Sequence, residues 1–503
     1  MAIELSNLTF TEQDDIVPGS GVEEILNTGI ANTLAGNDII IGTKEITIDT
    51  PSQNKFGSIF NSGTLNTADG DDIITGTINR KEIPFVPPEQ NYEYYSADSS
   101  GIYNTGSIYT GQGNDKITGI NEAVLSFGYD NGVYAEGSTI DTGDGNDIIT
   151  GISQKGTGIQ SRNSTINTGD GSDTITGTNL DHSGIYLAGT GGIDTGKGND
   201  IITGNAPLYG LFNYFDTFLN TGDGNDIITG NSTSFGFALA NFGFMDTGEG
   251  NDIIMGSNID EADGILDNAG VGLLNAGEFD GFMYTGDGND TITGIATATN
   301  NSIGLINGYT YTLDSGNGND IITGTGNTYG IDNKGTINTG NGDDTITSTG
   351  IIYNDGIINT GHGHDSIIVD GGFDEISGTS YGIYNNGGAI NMGDGNDSII
   401  ANEGFKSGPN SSGAWFLGEG DDYIKGFGSG DFYGGNGNDT LELTPGTYTV
   451  GIWGEGGESP IFTKGNQLMI TSEFEKLIAG DTIYDFTSLT AGQIIVVSDI
   501  GGQ

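Results

Sequence analysis

The chain has 503 residues and a formal net charge of −55, because 68 acidic side chains face only 13 basic ones. This balance excludes binding to nucleic acid or to an anionic membrane surface, both of which require basic patches. Cysteine is absent, so disulfides and thiolate metal sites are excluded, and no apolar run approaches the roughly 18 residues that span a membrane.

Residues 1–35 precede the repeats described next and are predicted to form an N-terminal cap. The segment begins Met-Ala-Ile-Glu-Leu-Ser-Asn and has neither the basic start nor the apolar core of a cleavable signal peptide. We therefore expect no cleaved N-terminal export signal.

One segment recurs between residues 36 and 442, with the form Thr-Gly-Asp-Gly-Asn-Asp-Ile-Ile-Thr-Gly. It is complete at Thr142–Gly151 and at Thr221–Gly230. Its second Asp sets the register, and successive copies from Asp147 to Asp252 are 26 or 27 residues apart. A fixed period of this length is typical of a solenoid, in which each repeat stacks on its neighbours.

Each repeat contains three short strand patterns. Two residues after every register Asp stands Ile or Leu, while the residue between them varies, which indicates a strand with one buried face. Before the Asp come a Gly-aliphatic-x-Asn pattern, as at Gly101–Asn104, and an aliphatic-Asn/Asp-Thr pattern, as at Ile140–Thr142. The sequence therefore predicts an all-β, right-handed parallel β-helix or β-roll with three strands per coil.

Three segments interrupt the repeat, and one follows it. Residues 79–100 are rich in proline and tyrosine and are predicted to form a protruding loop, and residues 257–282 and 402–412 are predicted to be smaller insertions. Residues 443–503 lack the repeat and are predicted to form a small β-rich C-terminal cap.

The repeated turn resembles the RTX family, secreted bacterial proteins with hemolysin-type repeats of the form Gly-Gly-x-Gly-x-Asp-aliphatic. The pattern is complete at Gly434–Glu442, and elsewhere Thr usually replaces the first Gly, as at Thr221–Thr229. The resemblance implies several bound Ca²⁺ ions. Because this chain carries mostly one such turn per longer coil, we expect a single row of ions on one edge. The predicted calcium ligands are Asp72, Asp115, Asp147, Asp173, Asp200, Asp226, Asp252, Asp290, Asp320, Asp344, Asp365, Asp397, Asp422 and Asp439, with Gly222, Gly224, Gly435 and Gly437 shaping the turns.

The chemistry of the turn supports this interpretation. Glycines turn backbone carbonyls toward one point, Asp supplies a carboxylate, and Ca²⁺ takes six to eight such oxygens. Carboxylates stacked about 4.8 Å apart repel one another unless cations lie between them, so folding is predicted to be coupled to calcium. His362 and His364 occupy variable positions of one turn. They are interpreted as tolerated surface substitutions, with a zinc site as the alternative.

The end of the chain is similar to the uncleaved C-terminal signal that type I exporters read in RTX proteins. The similarity rests on Gln467–Ile470, on Phe474–Ile478 and on an ending rich in Thr, Ser and aliphatic residues. It implies that the type I export machinery is a partner, and that the protein is secreted or lies at the cell surface.

The repeats begin near residue 36, which leaves no room for a catalytic domain before them. The sequence therefore favours a non-enzymatic matrix, surface-layer or adhesion protein, with extracellular polysaccharide or further copies of the chain as candidate partners. One alternative is a β-helix enzyme acting on polysaccharides, such as a lyase or epimerase, or a carbohydrate-binding protein. Another is ice binding. The candidate residues for sugar binding are the tyrosines Tyr103, Tyr134, Tyr186 and Tyr384. Those for ice binding are the threonines Thr142, Thr168, Thr195, Thr221 and Thr247.

Overall fold

The computed structural model describes residues 2–18, 23–46, 56–80, 99–123, 130–234, 236–259, 271–276, 281–297, 301–374, 378–408, 413–454 and 459–498. The chain divides into two compact units, Met1–Ile259 and Asp260–Gln503. Within the described ranges the chain is built of strands, with two short 3₁₀ turns at Leu5–Asn7 and Phe486–Ser488 and no α-helix, which confirms the predicted all-β class. No helix in these ranges is long and apolar enough to cross a membrane.

The first unit is a parallel β-helix in which each coil contributes one strand to each of three sheets. We call the sheets faces 1, 2 and 3. In each coil the strands of faces 1 and 2 precede the register Asp, and the strand of face 3 follows it. Face 1 consists of Ala2–Glu4, Glu24–Asn27, Phe56–Asn61, Ser99–Asn104, Asp130–Glu136, Thr157–Arg162, Ser183–Ala188, Tyr209–Asn213 and Phe237–Asn241. Face 2 consists of Ile30–Asn32, Thr64–Asn66, Ser107–Tyr109, Thr139–Asp141, Thr165–Asn167, Gly191–Asp194, Thr217–Asn220 and Phe244–Asp246. Face 3 consists of Ile16–Val17, Ile39–Ile46, Ile73–Arg80, Lys116–Asn121, Ile148–Ser153, Thr174–Asn179, Ile201–Asn205, Ile227–Ser232 and Ile253–Asn258.

The second unit repeats the same three-faced plan. Its face 1 consists of Val271–Asn275, Ile303–Asn307, Tyr329–Asn333, Ile351–Asn354, Ile383–Asn385 and Phe405–Ser407. Its face 2 consists of Phe282–Tyr284, Thr312–Asp314, Thr336–Asn338, Ile357–His362, Ala389–Asp394, Ala414–Glu419, Gly430–Asn436 and Gln467–Ser472. Its face 3 consists of Thr291–Ala296, Ile321–Thr325, Thr345–Ser348, Ser366–Val369, Ser398–Ala401, Tyr423–Lys425, Thr440–Leu443 and Lys476–Ala479. Gly372–Asp374 and Thr379–Tyr381 form a small antiparallel pair.

After residue 443 the chain combines antiparallel pairing with the parallel pairing of the coils. Gly446–Trp453 pairs with Ser459–Lys464 and with Ile494–Val497, and Ser459–Lys464 pairs with Gln467–Ser472. Thr482–Asp485 folds back on Lys476–Ala479. At the other end, strands before residue 36 already pair in parallel, because Ala2–Glu4 adds to face 1.

The aliphatic residue two positions after each register Asp forms the core, as predicted. These side chains stack coil on coil and are 0% exposed; they are Ile40, Ile74, Ile117, Ile149, Ile175, Ile202, Ile228, Ile254, Ile292, Ile322, Ile346, Ile367, Ile399, Ile424 and Leu441. Burying each contributes roughly 1.5–3 kcal/mol. Side chains along face 3 alternate between the core and the solvent, so a shift of one residue would expose this Ile. The alternation therefore fixes the strand register.

A buried ladder of asparagines closes the corner between faces 1 and 2. Asn213 Nδ2 donates to Asn241 Oδ1 in the next coil at 2.8 Å and to the Phe244 carbonyl at 2.9 Å. Asn333 makes the equivalent bonds in the second unit. The predicted insertions lie largely outside the described residues, namely 81–98 of the loop 79–100 and parts of 257–282 and 402–412.

Candidate metal centre: a ladder of buried aspartates

The register aspartates stack on one another at the corner between faces 2 and 3. The backbone N–H of Asp200 donates to Oδ1 of Asp226 (N···O 2.8 Å), and the N–H of Asp226 donates to Oδ1 of Asp252 at the same distance. The bond repeats at 2.7–2.9 Å along each unit, so each accepting carboxylate is held by the coil before it. The other donors are Asp38, Asp72, Asp115, Asp147, Asp173, Asp290, Asp320, Asp344, Asp365, Asp397 and Asp422.

The second carboxylate oxygen, Oδ2, is buried without a hydrogen-bond partner in the described ranges in most of these aspartates. The side chains are 0–2% exposed. Oδ2 is buried and has no hydrogen-bond partner among the described residues in Asp38, Asp72, Asp115, Asp147, Asp173, Asp200, Asp226, Asp320, Asp344, Asp365, Asp397, Asp422 and Asp439. A buried carboxylate oxygen without a partner is costly, so each position needs a cation or a proton.

Burial raises the pKa of these carboxyl groups, because it disfavours the charged form. The pKa of Asp173 rises to about 7, chiefly through burial, and the neighbouring Asp200 and Asp147 carboxylates raise it further. Burial likewise raises the pKa of Asp226 to about 6. The hydroxyl of a neighbouring Thr and the backbone N–H from the preceding coil oppose the shift in both groups.

Glycine is required by sterics where consecutive corners touch. A Cβ on Gly224 would lie 1.4 Å from the Gly198 carbonyl oxygen and 2.9 Å from Asp226 Oδ1. A Cβ on Gly222 (φ +77°) would lie 1.8 Å from the Gly196 carbonyl oxygen. These oxygens crowd into the space that a side chain would fill.

The last turn is built in the same way. Gly435 and Gly437 have φ angles of +103° and +154°, and a Cβ would lie 1.9 Å and 1.7 Å, respectively, from carbonyl oxygens of the preceding coil. The predicted glycines therefore lie where a side chain would overlap the carbonyl oxygen of the preceding turn.

The donor set fits a hard cation that accepts backbone ligands. No group of three or more His, Asp or Glu side chains in the described ranges converges to hold a metal. The aspartates named above with an unpartnered Oδ2 each offer one carboxylate oxygen to an ion, and the adjacent glycine turns place backbone carbonyl oxygens in the same corner. Calcium accepts such mixed oxygen sets, whereas zinc and other transition metals need several nitrogen, sulfur or carboxylate ligands.

Threonine packs beside the aspartates, inside the corner. The Thr110 hydroxyl donates to the Thr142 carbonyl in the next coil at 3.1 Å. All five threonines proposed for ice binding are 0% exposed; they are Thr142, Thr168, Thr195, Thr221 and Thr247. The alternative of ice binding through these threonines is therefore excluded, because their side chains are buried and cannot contact an ice surface.

Three acidic residues outside the predicted calcium ligands also contact the row: Asp38, which the repeat register includes, and Asp15 and Glu475, which are hydrogen-bonded to its two ends. Asp38 takes the standard position, 1% exposed, although it lacks the preceding Gly-x-Gly. The N–H of Asp15 donates to Asp38 Oδ1 at 2.8 Å, and the N–H of Asp439 donates to Glu475 Oε2 at 2.7 Å. Asp15 and Glu475 each precede by two residues a buried apolar side chain, Val17 and Leu477, and this spacing would have revealed them.

The variable positions of the turn form an outer, exposed rank. There the N–H of Asn225 donates to Asn199 Oδ1 at 2.7 Å. His362 and His364 belong to this rank: His362 Nδ1 lies 3.0 Å from Asp394 Oδ2, and His364 Nδ1 accepts from the Asn396 N–H at 2.8 Å. Both histidines thus occupy surface positions that Asp or Asn fill in other coils.

The tyrosines considered for sugar binding differ in exposure. Tyr103 and Tyr134 are only 2% and 7% exposed, and their ring centroids lie 5.0 Å apart. Tyr186 stacks on Phe212 at 5.3 Å. The faces of Tyr103 and Tyr134 cannot receive a ligand, whereas Tyr384 in the second unit remains half-buried.

The chain has a distant likeness to a solved structure but no match among family models or curated proteins. Among solved structures it is similar to a hyperactive, Ca²⁺-dependent, β-helical antifreeze protein from an Antarctic bacterium. The identity is 18%, the alignment covers 83% of this chain and 84% of that one, and the TM-score is 0.34.

Proposed function

We propose that the protein is a calcium-binding structural repeat protein in which one row of Ca²⁺ ions in each unit completes the fold. The observation that supports this most strongly is the repeated, buried and unpartnered Oδ2 of the aspartate row. Calcium bound there would neutralise a carboxylate in every coil and join two coils.

The residues that would hold the ions follow from the corner geometry. In the coil of Asp226, Oδ1 is already bonded to the preceding coil, so Oδ2 is the oxygen left for an ion. The turn before it packs Gly222 and Gly224 against the carbonyl oxygens of Gly196 and Gly198 in the preceding coil. Six to eight oxygens per ion then require carbonyls of two turns and water.

We further propose that the chain is an RTX-type protein exported by a type I system and that it is extracellular or at the cell surface. Two features support this proposal: the complete repeat Gly434–Glu442, and the end of the chain, which is rich in Thr, Ser and aliphatic residues. Calcium at extracellular concentrations, with affinities of about 10⁻⁴–10⁻³ M, would fold the chain only after export. If a chain lacking residues 443–503 is still exported from a bacterial host with a type I exporter, the export proposal is wrong.

We propose a non-enzymatic matrix, surface-layer or adhesion role rather than polysaccharide cleavage. The chain has 13 Lys and Arg residues and 3 His residues among 503, which leaves few basic groups for the acid–base chemistry of a lyase. Incubation with alginate and with pectin tests this. New reducing ends or unsaturated products from the pure protein would overturn it.

The calcium proposal is tested by far-ultraviolet circular dichroism of the full chain in chelator, titrated with Ca²⁺ and separately with Mg²⁺. A cooperative gain of β signal at about millimolar Ca²⁺, with little response to Mg²⁺, is the expected result. A chain that is fully β-structured in chelator and binds no Ca²⁺ by calorimetry would refute the proposal.

A further inference from the structure

The last coil of the second unit closes the aspartate row with a corner that is not a glycine turn. Gln467–Ser472 adds to face 2 and Lys476–Ala479 adds to face 3, so residues 473–475 take the place of the repeated turn. This corner has the sequence Glu-Phe-Glu. Two acidic residues are therefore added at the end of a row of buried carboxylates.

Glu475 continues the hydrogen-bond ladder of the row. The N–H of Asp439 donates to Glu475 Oε2 at 2.7 Å, just as the N–H of Asp422 donates to Asp439 Oδ1 at 2.9 Å. The Glu475 carboxylate therefore takes the position that the next register aspartate takes in the preceding coils. Unlike those aspartates, Glu475 is exposed, so this end of the row lies next to solvent.

Gly434 replaces the threonine that many coils place against the register carboxylate. Thr221, at the equivalent position of its coil, hydrogen-bonds to the Asp226 carboxylate through its side chain. Oxygen atoms border the corresponding space beside Gly434. A Cβ there would lie 1.9 Å from the Glu473 carbonyl oxygen and 2.7 Å from Asp439 Oδ2. A carbonyl oxygen thus faces the carboxylate where other coils supply a hydroxyl donor.

The oxygens at this corner are arranged as ligands of one cation. Asp439 is 0% exposed, and its Oδ2 has no hydrogen-bond partner among the described residues. Two oxygens that share a Ca²⁺ ion lie at most about 5 Å apart, because each Ca–O distance is about 2.3–2.6 Å. Asp439 Oδ2 and the Glu473 carbonyl oxygen meet this limit, since both lie within 2.7 Å of the Cβ position of Gly434.

Burial of Asp439 does not close this position to an ion. The ion would be enclosed as the last coil docks on the repeat, and the exposed Glu475 carboxylate borders the position on the solvent side. Without an ion, the carboxylates of Asp439 and Glu475 would repel each other across the contact between the two coils. Docking of the last coil therefore depends on a cation at this corner.

We infer that Asp439, Glu475 and the Glu473 carbonyl oxygen form a terminal Ca²⁺ site that locks the C-terminal segment, residues 467–498, onto the last repeat. The inference rests on the proposed calcium row and adds a role for its last ion. Water supplies the remaining ligands from the exposed side. The segment that includes the proposed export signal is accordingly undocked where calcium is scarce and docked where calcium is plentiful.

Hydrogen–deuterium exchange of the full chain, followed by mass spectrometry in chelator and at about 1 mM Ca²⁺, provides the test. Calcium should slow exchange in Gln467–Ser472 and Lys476–Ala479. Glu475→Gln keeps an oxygen that accepts the Asp439 N–H but removes the charge. In calcium, this variant should exchange roughly tenfold faster than the wild type in these two strands, with Ile227–Ser232 unchanged. In chelator it should exchange no faster than the wild type, because the repulsion between the carboxylates is relieved.

Asp481→Asn is the matched control, because it removes one negative charge from an exposed residue of the same segment outside the corner. It should exchange like the wild type in calcium. Calcium protection of the repeat strands but not of the last coil, wild-type exchange in Glu475→Gln, or equal losses in the two variants would each overturn the terminal site alone. A wild-type chain in which calcium protects no strand at all would overturn the calcium row as well.

Discussion

Asp226 and Asp223 lie three residues apart in one turn and differ in what surrounds them. Asp226 is 0% exposed with an orphaned Oδ2, whereas Asp223 is exposed and pairs with Lys197 Nζ at 2.8 Å. Exposed ion pairs of this kind contribute about 0–1 kcal/mol. The two carboxylates therefore allow buried and surface charge to be compared within one coil.

Asp226→Asn should bind fewer Ca²⁺ ions than the wild type and melt at least about 4 °C lower in calcium, because the amide cannot neutralise a cation. Asp223→Asn should keep the wild-type stoichiometry and melt within about 1 °C of it. Calorimetric titration and thermal melts in calcium measure both quantities. An Asp226→Asn protein with wild-type stoichiometry would remove this residue from the ion row.

Gly224→Ala should destabilise the chain by more than about 3 kcal/mol, because its Cβ would overlap the Gly198 carbonyl at 1.4 Å. Gly372→Ala is the control, since its Cβ would meet nothing closer than 3.4 Å. Denaturant unfolding in calcium gives the comparison. Equal stability of the two variants would contradict the close packing of the turns.

At the scale of the coil, the aspartate row links stability to pH. Folded-state pKa values raised from 3.8 to about 7 in Asp72, Asp344 and Asp397 mean that the folded chain binds more protons than the unfolded chain between those values. Their contribution to stability is therefore present below pH 4 and is lost as pH rises through 7.

In chelator the chain should accordingly show less β signal at pH 8 than at pH 5, since the buried carboxyls must ionise without a counter-ion. In saturating calcium this dependence should largely vanish over the same interval, because the ion takes the place of the proton. Circular dichroism at both pH values, with and without calcium, tests the sign. A chelated chain with more β signal at pH 8 would show that other groups dominate.

The strand pattern of the coil was predictable, because each coil obeys the same alternation. The Ile two residues after each Asp is buried as predicted, and the Asn and Thr of the two other patterns recur at equivalent buried positions in successive coils. The hydrogen bond from each Asp N–H to the next carboxylate was not predictable, since side-chain direction depends on the neighbouring coil. For the same reason, burial of Tyr103 could not be read from a position that alternation assigns to the outside.

For the whole molecule, the dominant feature is the excess of acidic over basic side chains. A net charge of −55 on 503 residues disfavours any compact state unless cations reduce the repulsion. The described residues contain a few ion pairs, such as Lys44–Glu24 at 2.7 Å and Lys425–Glu442 at 3.0 Å, which are too sparse to offset it.

The chelated chain should therefore gain β signal as NaCl rises from about 0.01 M to about 1 M, because the Debye length falls from about 30 Å to about 3 Å. With calcium bound the same change should have little effect. Circular dichroism against salt concentration measures this, with KCl as the control for ion identity. Loss of β signal on adding salt would show that repulsion does not limit folding.

The bond between consecutive Asp residues also determines how this protein can change in length. Asp173 and Asp200 each donate a backbone N–H to Oδ1 of the next register aspartate, Asp200 and Asp226 respectively. The segment between two register aspartates is therefore one complete coil, which starts and ends at equivalent positions of the turn. If residues 200–225 were lost, Asn199 would precede Asp226, and the N–H of Asp173 would meet the carboxylate of Asp226. Insertions and deletions of one entire coil would leave every remaining corner intact, while shorter ones would break a corner. Descendants of such a gene should therefore differ in repeat number far more readily than in repeat length.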